Sequence, residues 1–454
     1  MCKNLLPKLC LLLMAVLTFH SVLAQEGGVQ YQYKDFRFPN IDRKALEGSF
    51  NLAGNSSRLD FDNTSYFQDS RFSNSISGTY SRFRNLEKIQ AQELLSFNSS
   101  INLNRFKSES PAIQDSASGR FLFIPNYNTE YRNYFVPNKF WGFELDLSST
   151  YDYRYNRNEI LNTRSSSNNF NIAVAPTLQF GWGRLEPIDD VFLAKFMVDD
   201  MKEAGILNQD LTQEELFALG STMAFVRNQR IFDFRRLRMY ELTEIDKWFS
   251  GSGLVGNQDF RYFTVLNDNW LYAYRNVRFA GQRTTIGLSP SASWSYRSPQ
   301  SSLDMVANLG LSLGVTYELH RPLNQHWQSI STLSAGAAVL CAGCEENSEF
   351  FPGPNISLSQ EYGWFPNSRT RVSGSAFVSY LTRFSLNFSP TAPEKILSTG
   401  INFNADYFVN YQFRILANLG YGYSRQTVDT FFSNDYLIVI NGIQGGITFN
   451  YTFF

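Results

Sequence analysis

Residues 307–319 read A-N-L-G-L-S-L-G-V-T-Y-E-L. Ala307, Leu309, Leu311, Leu313, Val315, Tyr317 and Leu319 are apolar, and the even positions between them are polar or glycine. Side chains of a strand point alternately to its two faces, so this segment is a ribbon with one oily side and one wet side. Its length is as constraining as its period. A globular strand averages about 5–6 residues, whereas a tilted strand crossing a bilayer needs about 9–11. The segment is therefore expected to cross a bilayer, oily side to lipid and wet side to a lumen.

The pattern recurs. It is weak over residues 49–53, 57–67 and 73–83, and firmer over 97–103 and 120–131. Over 143–155, Phe143, Leu145, Leu147, Tyr151, Tyr153 and Tyr155 share one face, and Glu144, Asp146, Ser148, Asp152 and Arg154 the other. Further stretches follow at 170–182, 285–296, 330–340, 356–364, 371–381, 401–413, 415–424 and 441–453. The expected fold is an all-β transmembrane antiparallel β-barrel of about 14 strands with an α-helical insert, since bacterial single-chain barrels have an even strand number. Composition agrees: aromatic residues make up 16% of the chain and charged residues only 18%, which suits strands with a lipid-facing belt. A net charge of -1 excludes the positive field of a nucleic-acid binder.

Residues 1–24 read as a secretory signal peptide: Lys3 and Lys8, an apolar core over 9–19, then Val22-Leu23-Ala24 before Gln25. No other run approaches the roughly 18 consecutive apolar residues of a membrane helix. An exported chain that spans a membrane must then do so with strands, since only helices and closed barrels satisfy the backbone in lipid. The expected organisation is a periplasmic lead-in over 25–43, strands over 44–184, a helical insert over 185–280, and strands over 281–454.

Helical signals mark the insert. Pro187 stands at a plausible first helical position and Gly205 past a last turn. Thr212-Gln213-Glu214-Glu215 fits a capping box. Leu242, Ile245 and Phe249 recur at helical spacing until Gly251-Ser252-Gly253 breaks the run. Roughly four short helices are expected, too charged to enter lipid. Barrels have short periplasmic turns and long external loops. Counting back from a periplasmic C-terminus makes 428–437, 384–395 and 341–354 external, and places the insert on the periplasmic side.

The chain ends Gly446-Ile447-Thr448-Phe449-Asn450-Tyr451-Thr452-Phe453-Phe454. This alternating strand closing on phenylalanine resembles bacterial outer-membrane β-barrel proteins, and the layout is similar to uncharacterised barrels of Bacteroidota-type envelopes. In-phase aromatics here end at Phe453, leaving Phe454 out of register. The resemblance implies location in the outer membrane of a Gram-negative bacterium, contact with outer-membrane lipid, and recognition of the last strand by the assembly machinery.

Candidate site residues follow from the wet faces. Glu144, Asp146, Asp152, Arg154, Glu318, Asn402, Asn404 and Asp406 are expected to face the lumen, where they either tune solute selection or fill the interior with hydrogen bonds. In the insert, Arg227, Arg230, Arg235, Arg236 and Arg238 form either a solvated face balanced by Asp233, Glu241, Glu244 and Asp246 or a docking site for an anionic partner, such as lipid head groups or an acidic periplasmic protein. Cys341 and Cys344 in C-x-x-C spacing suit a disulfide closing a surface loop, with redox or metal roles as alternatives. His320 and His326, both in the connection 319–327, read as turn histidines rather than general bases. Trp141, Trp182, Trp294, Trp364, Tyr421 and Tyr423 fall near strand ends, suiting a membrane interface. The expected function is a pore or transporter for small solutes by diffusion, the alternative being an envelope interaction protein whose insert docks a partner. No enzyme activity, cofactor, metal or nucleic-acid partner is expected.

Overall fold

The computed structural model describes residues 31–61, 65–108, 115–158, 163–229, 231, 233–256, 258–271, 278–298, 304–342, 349–383, 394–409, 413–428 and 436–451. The segment read as a signal peptide and the terminal Phe453-Phe454 lie outside these residues.

One sheet of fourteen strands runs through the chain, each strand antiparallel to the one before it. Six strands precede the insert: β1 (Ile41–Phe61), β2 (Ser65–Asn85), β3 (Ile89–Ser108), β4 (Ser116–Val136), β5 (Lys139–Asn158) and β6 (Thr163–Pro187). Eight follow it: β7 (Phe279–Ser298), β8 (Asp304–Pro322), β9 (Trp327–Ala342), β10 (Glu349–Asn367), β11 (Thr370–Arg383), β12 (Glu394–Phe408), β13 (Phe413–Val428) and β14 (Tyr436–Tyr451). The shortest has 14 residues and the longest 25, against about 5–6 in globular sheets. The weakly patterned N-terminal region resolves into four strands, which makes the total even. Among the described residues no pairing joins β1 to β14, and Leu46 (83% exposed) and Ile443 (76%) on these edge strands are the least covered aliphatic residues of the sheet.

Register fixes the faces. Leu309, Leu311, Leu313 and Val315 of β8 lie opposite Cys341, Val339, Ala337 and Ala335 of β9, so the oily sides align across strands. On the other face Ser312 lies between Ser289 and Ala338. The apolar face is exposed along most of its length and carries aromatic groups near strand ends, including Tyr131 against Trp141 at 5.7 Å and Trp327 stacked on Trp364 at 6.1 Å.

One end of the sheet has the tight connections 86–88, 137–138, 323–326, 368–369 and 409–412. The insert between β6 and β7 stands at that same end, as the loop alternation predicted. It comprises α1 (Asp189–Glu203), α2 (Gln213–Arg227), α3 (Phe234–Ser252) and α4 (Phe260–Leu271). Thr212 and Glu215 form the expected capping box, Gly205 adopts φ 69° after α1, and Gly253 closes α3 in the left-handed region. Pro187 is not helical. It ends β6, paired with Phe279, and α1 starts two residues later.

The lead-in is part of the insert's core, not a free extension. Tyr31, Tyr33, Phe36 and Phe38 are buried with Val191, Phe192, Met197, Leu216 and Trp270. The Tyr31 hydroxyl donates to the Leu211 carbonyl at 2.7 Å. The same cluster includes Ile41 at the start of β1 and Phe365 near the end of β10. In a flat sheet these residues would stand nine strand spacings apart, roughly 43 Å at about 4.8 Å each, while α1 is only about 22 Å long at 1.5 Å per residue. The sheet therefore curls around the insert at its short-turn end.

Two glycines bring the insert there. Gly183 (φ 93°) and Gly281 (φ 120°) stand on the paired ends of β6 and β7, and an added Cβ would lie 2.1 Å from the Gln282 oxygen or 2.2 Å from the Arg184 oxygen. Such backbone is open to glycine and strained for any other residue. Beyond this kink the ribbon reaches the β2–β3 turn. There Arg184 donates to the Leu86 and Glu87 carbonyls at 2.9 and 2.7 Å and to Asn85 Oδ1 at 3.2 Å.

Candidate functional site

The candidate site is the polar face of the curled sheet. Its far part is lined mainly by serine and asparagine, since the wet positions of β2 and β3 include Ser73, Ser75, Ser77, Asn98, Ser100 and Asn102. Charged residues are held by arginines or by amide side chains. Asp152 is buried and accepts from Arg120 Nε at 2.9 Å and from Arg154 Nη2 at 2.7 Å. Glu144 accepts from Gln179 at 2.6 Å, and Asn128 donates to Asp146. Asp406 is bound by Arg414, with the Nε contact at 2.7 Å. Asn402 lies over Gly420, where an added Cβ would come within 2.7 Å of its Oδ1. Asn404 pairs with Ser373 on one side and Asn418 on the other. The eight residues expected on the wet side thus share one face, and all six charged ones have a polar partner.

The densest charge lies near the short-turn end. Arg283 donates to Glu318 from Nε at 2.8 Å and forms an Nη2 ion pair with it at 2.6 Å. Arg132, only 5% exposed, pairs with Glu130 and lies over the Phe140 ring. His320 also lies here, within β8 rather than in a turn, edge-on to Phe279. Sequence reading found Glu318 but not Arg132, Glu130 or Arg283. The alternation that places Ile286 opposite Val315 also places Arg283 opposite Glu318, so that pair was recoverable once the strands were aligned.

Below this cluster the insert is pinned by Arg278, which is 2% exposed. Its guanidinium lies 3.3 Å from the Phe192 ring centre and 4.4 Å from that of Phe365, and donates to Gln328, the Gln325 carbonyl and the Asn324 carbonyl. Burial disfavours its charge, and the carbonyls and ring faces offset that cost. Burial also pushes the Tyr31 phenol up to about 12, helped by the carboxylates of Asp210, Asp199 and Glu215. His326 is structural: its Nδ1 is 2.8 Å from the Phe365 carbonyl oxygen, and its ring packs on Phe196.

The arginine run of the insert is divided. Arg227 bonds Asp189 at 2.7 Å and Asp190 at 2.8 Å, joining α2 to α1, and Arg238 reaches Asn267 Oδ1 at 3.0 Å. Those two side chains hold the helices together. Arg235 and Arg236 are exposed, and Arg230 lies outside the described residues. Cys341 is held in a disulfide, and its expected partner Cys344 lies outside the described residues.

The fold and site define a fourteen-stranded antiparallel meander, polar on one face and apolar on the other, with a four-helix insert at its short-turn end. No protein-family model matches the chain, and no curated protein matches it in sequence.

Proposed function

We propose that this sheet closes through β1 and β14 into an outer-membrane β-barrel and that its polar face lines a hydrated path for small solutes. The observation that carries this is the joint burial of Ile41 and Phe365 in one cluster, which requires a curled sheet whose exposed outer side is the apolar one. Such a sheet in water would expose a large contiguous oily surface, whereas in a bilayer that surface is the lipid contact. An unpaired edge in lipid costs several kcal/mol per backbone group, so β1 and β14 close on each other. Fourteen strands enclose a wider interior than the filled core of an eight-stranded barrel. Solutes move by diffusion, biased by the ion pairs of the wall, with no covalent step.

Disulfide trapping tests closure. A cysteine at Ser49 in β1, scanned against single cysteines from 441 to 447 in β14, should give an intramolecular cross-link at one register in membrane-inserted protein. Absence of any such product, with only intermolecular species formed, refutes the barrel. Stepwise conductance in planar bilayers tests the pore, and a silent bilayer with heat-modifiable protein counts against it.

The second proposal, an assembly protein whose insert docks a partner, draws support from Arg235, Arg236, Met239, Phe260 and Phe263, all exposed on α3 and α4. Cross-linking that recovers the same partners without 189–271 eliminates it.

A further inference from the structure

At the insert-capped end of the polar face a chamber of about 200 Å³ is lined by Glu130, Arg132, Arg283, Glu318, His320 and Phe279 among others. It is smaller than the roughly 300–1,000 Å³ of pockets for drug-sized ligands. Its arginines are all paired: Arg132 with Glu130 and Arg283 with Glu318 inside it, and Arg84 with Glu93 just beyond its wall. Three buried nitrogens of its lining residues make no hydrogen bond: Arg84 Nε, Arg132 Nε and His320 Nδ1. Buried donors are rarely left unsatisfied, and each is costly.

We propose that this chamber binds a small zwitterion, an amino-acid-sized solute carrying one carboxylate and one ammonium group. Electroneutrality argues for this class. The wall already balances itself, so a net anion or cation would bring an uncompensated charge into a partly enclosed site, at a desolvation cost. A zwitterion adds none. Its carboxylate takes the free Arg132 Nε–H in a charge-assisted bond. Its ammonium donates to Glu130 and Glu318, since an ionised carboxylate has about four acceptor positions and each is only partly used by its arginine. The His320 ring, tilted against Phe279 at 82°, offers its Nδ1 to the same solute. The small volume limits the side chain to a few atoms.

The proposal rests on the polar face being a solute path, but its test does not require an open pore. Full-length protein in detergent micelles, shown folded by heat-modifiable mobility, is titrated calorimetrically with L-alanine, propionate and ethylamine. Alanine is expected to bind one to one, at least about fivefold more tightly than either single-charge analogue, a margin of about 1 kcal/mol. Arg132→Gln and Glu318→Gln should each weaken it by about tenfold, the loss of one charged hydrogen bond. Where Arg132→Gln does not fold, Arg132→Lys keeps a cation beside Glu130, removes the Nε donor, and should show the same loss. No alanine binding by folded protein, a preference below that margin, or variants that bind like wild type each overturn the site. Alanine binding with a silent bilayer overturns the pore and leaves the site standing; conductance without binding does the reverse.

Discussion

Replacing Gly183 with alanine tests whether the glycine kink is what holds the insert at the short-turn end of the curled sheet. With φ at 93° and the Gln282 oxygen 2.1 Å from an added Cβ, alanine in place costs about 1–3 kcal/mol for the backbone conformation alone, before the clash with a backbone atom that has no rotamer to escape into. The alternative is for the ribbon to straighten. Arg184 then gives up its three hydrogen bonds to residues 85–87, worth about 1.5 kcal/mol each at the lower end for charged donors, or about 4.5 kcal/mol in all. Whichever route is cheaper, docking weakens by about 3–4.5 kcal/mol, two to three orders of magnitude in the undocked population at about 1.4 kcal/mol per decade. A cysteine at Ala280, a buried member of the shared core, reports that population by its rate of maleimide labelling, with Cys341 and Cys344 replaced by serine. Labelling should rise by about those two to three decades in Gly183→Ala, and similarly in Gly281→Ala, while heat-modifiable mobility is kept. A rate within about threefold of the parent would show that the insert is held by something other than the kink.

Arg278→Leu should undock the insert as well, by about 3–5 kcal/mol, because the Asn324, Gln325 and Trp327 carbonyls and Gln328 lose their buried donor; labelling at the Ala280 cysteine reads it, and an unchanged rate would dismiss the pin. Deleting 189–271 should raise single-channel conductance by unblocking one mouth, and an unaltered step size would show that the helices stand clear of the path. Tyr31 sets an alkaline dependence. Its phenol ionises near 10 when unfolded and only at about 12 in place, so the unfolded form sheds its proton first and attachment of the lead-in weakens as pH rises through that window. Fluorescence or proteolysis of the lead-in should show this loosening in the parent and a smaller one in Tyr31→Phe; equal slopes would remove Tyr31 from the account.

The strands with the cleanest alternation were legible because one face is aliphatic or aromatic and the other short and polar, as in β5, β7 and β8. In β1 and β2 the contrast fades, because the apolar face admits Gly48, Gly54 and Asn74. The three stretches read there, 49–53, 57–67 and 73–83, fall on only two strands, the middle one running from the end of β1 into β2. The wall charges were legible as single residues because parity alone assigns a face. The cluster of Arg132 with Arg283 and Glu318 was not, since it joins β4 to β7 and β8 and depends on curvature. The burial of Tyr31 to Phe38 was invisible for a different reason: its partners lie in the insert, and no local period records a contact at that separation. Pro187 misled because its missing N–H suits a helix start and equally the last rung of a ladder.

The bond from Tyr31 to the carbonyl of Leu211 spans 180 positions. The earliest described part of the polypeptide to leave the ribosome must therefore wait for nearly half the chain before it can be seated. A long-range closure of this kind makes the seating of the lead-in a late event in assembly, so a chain interrupted before the helices would carry only β1 to β6 and an unseated tail.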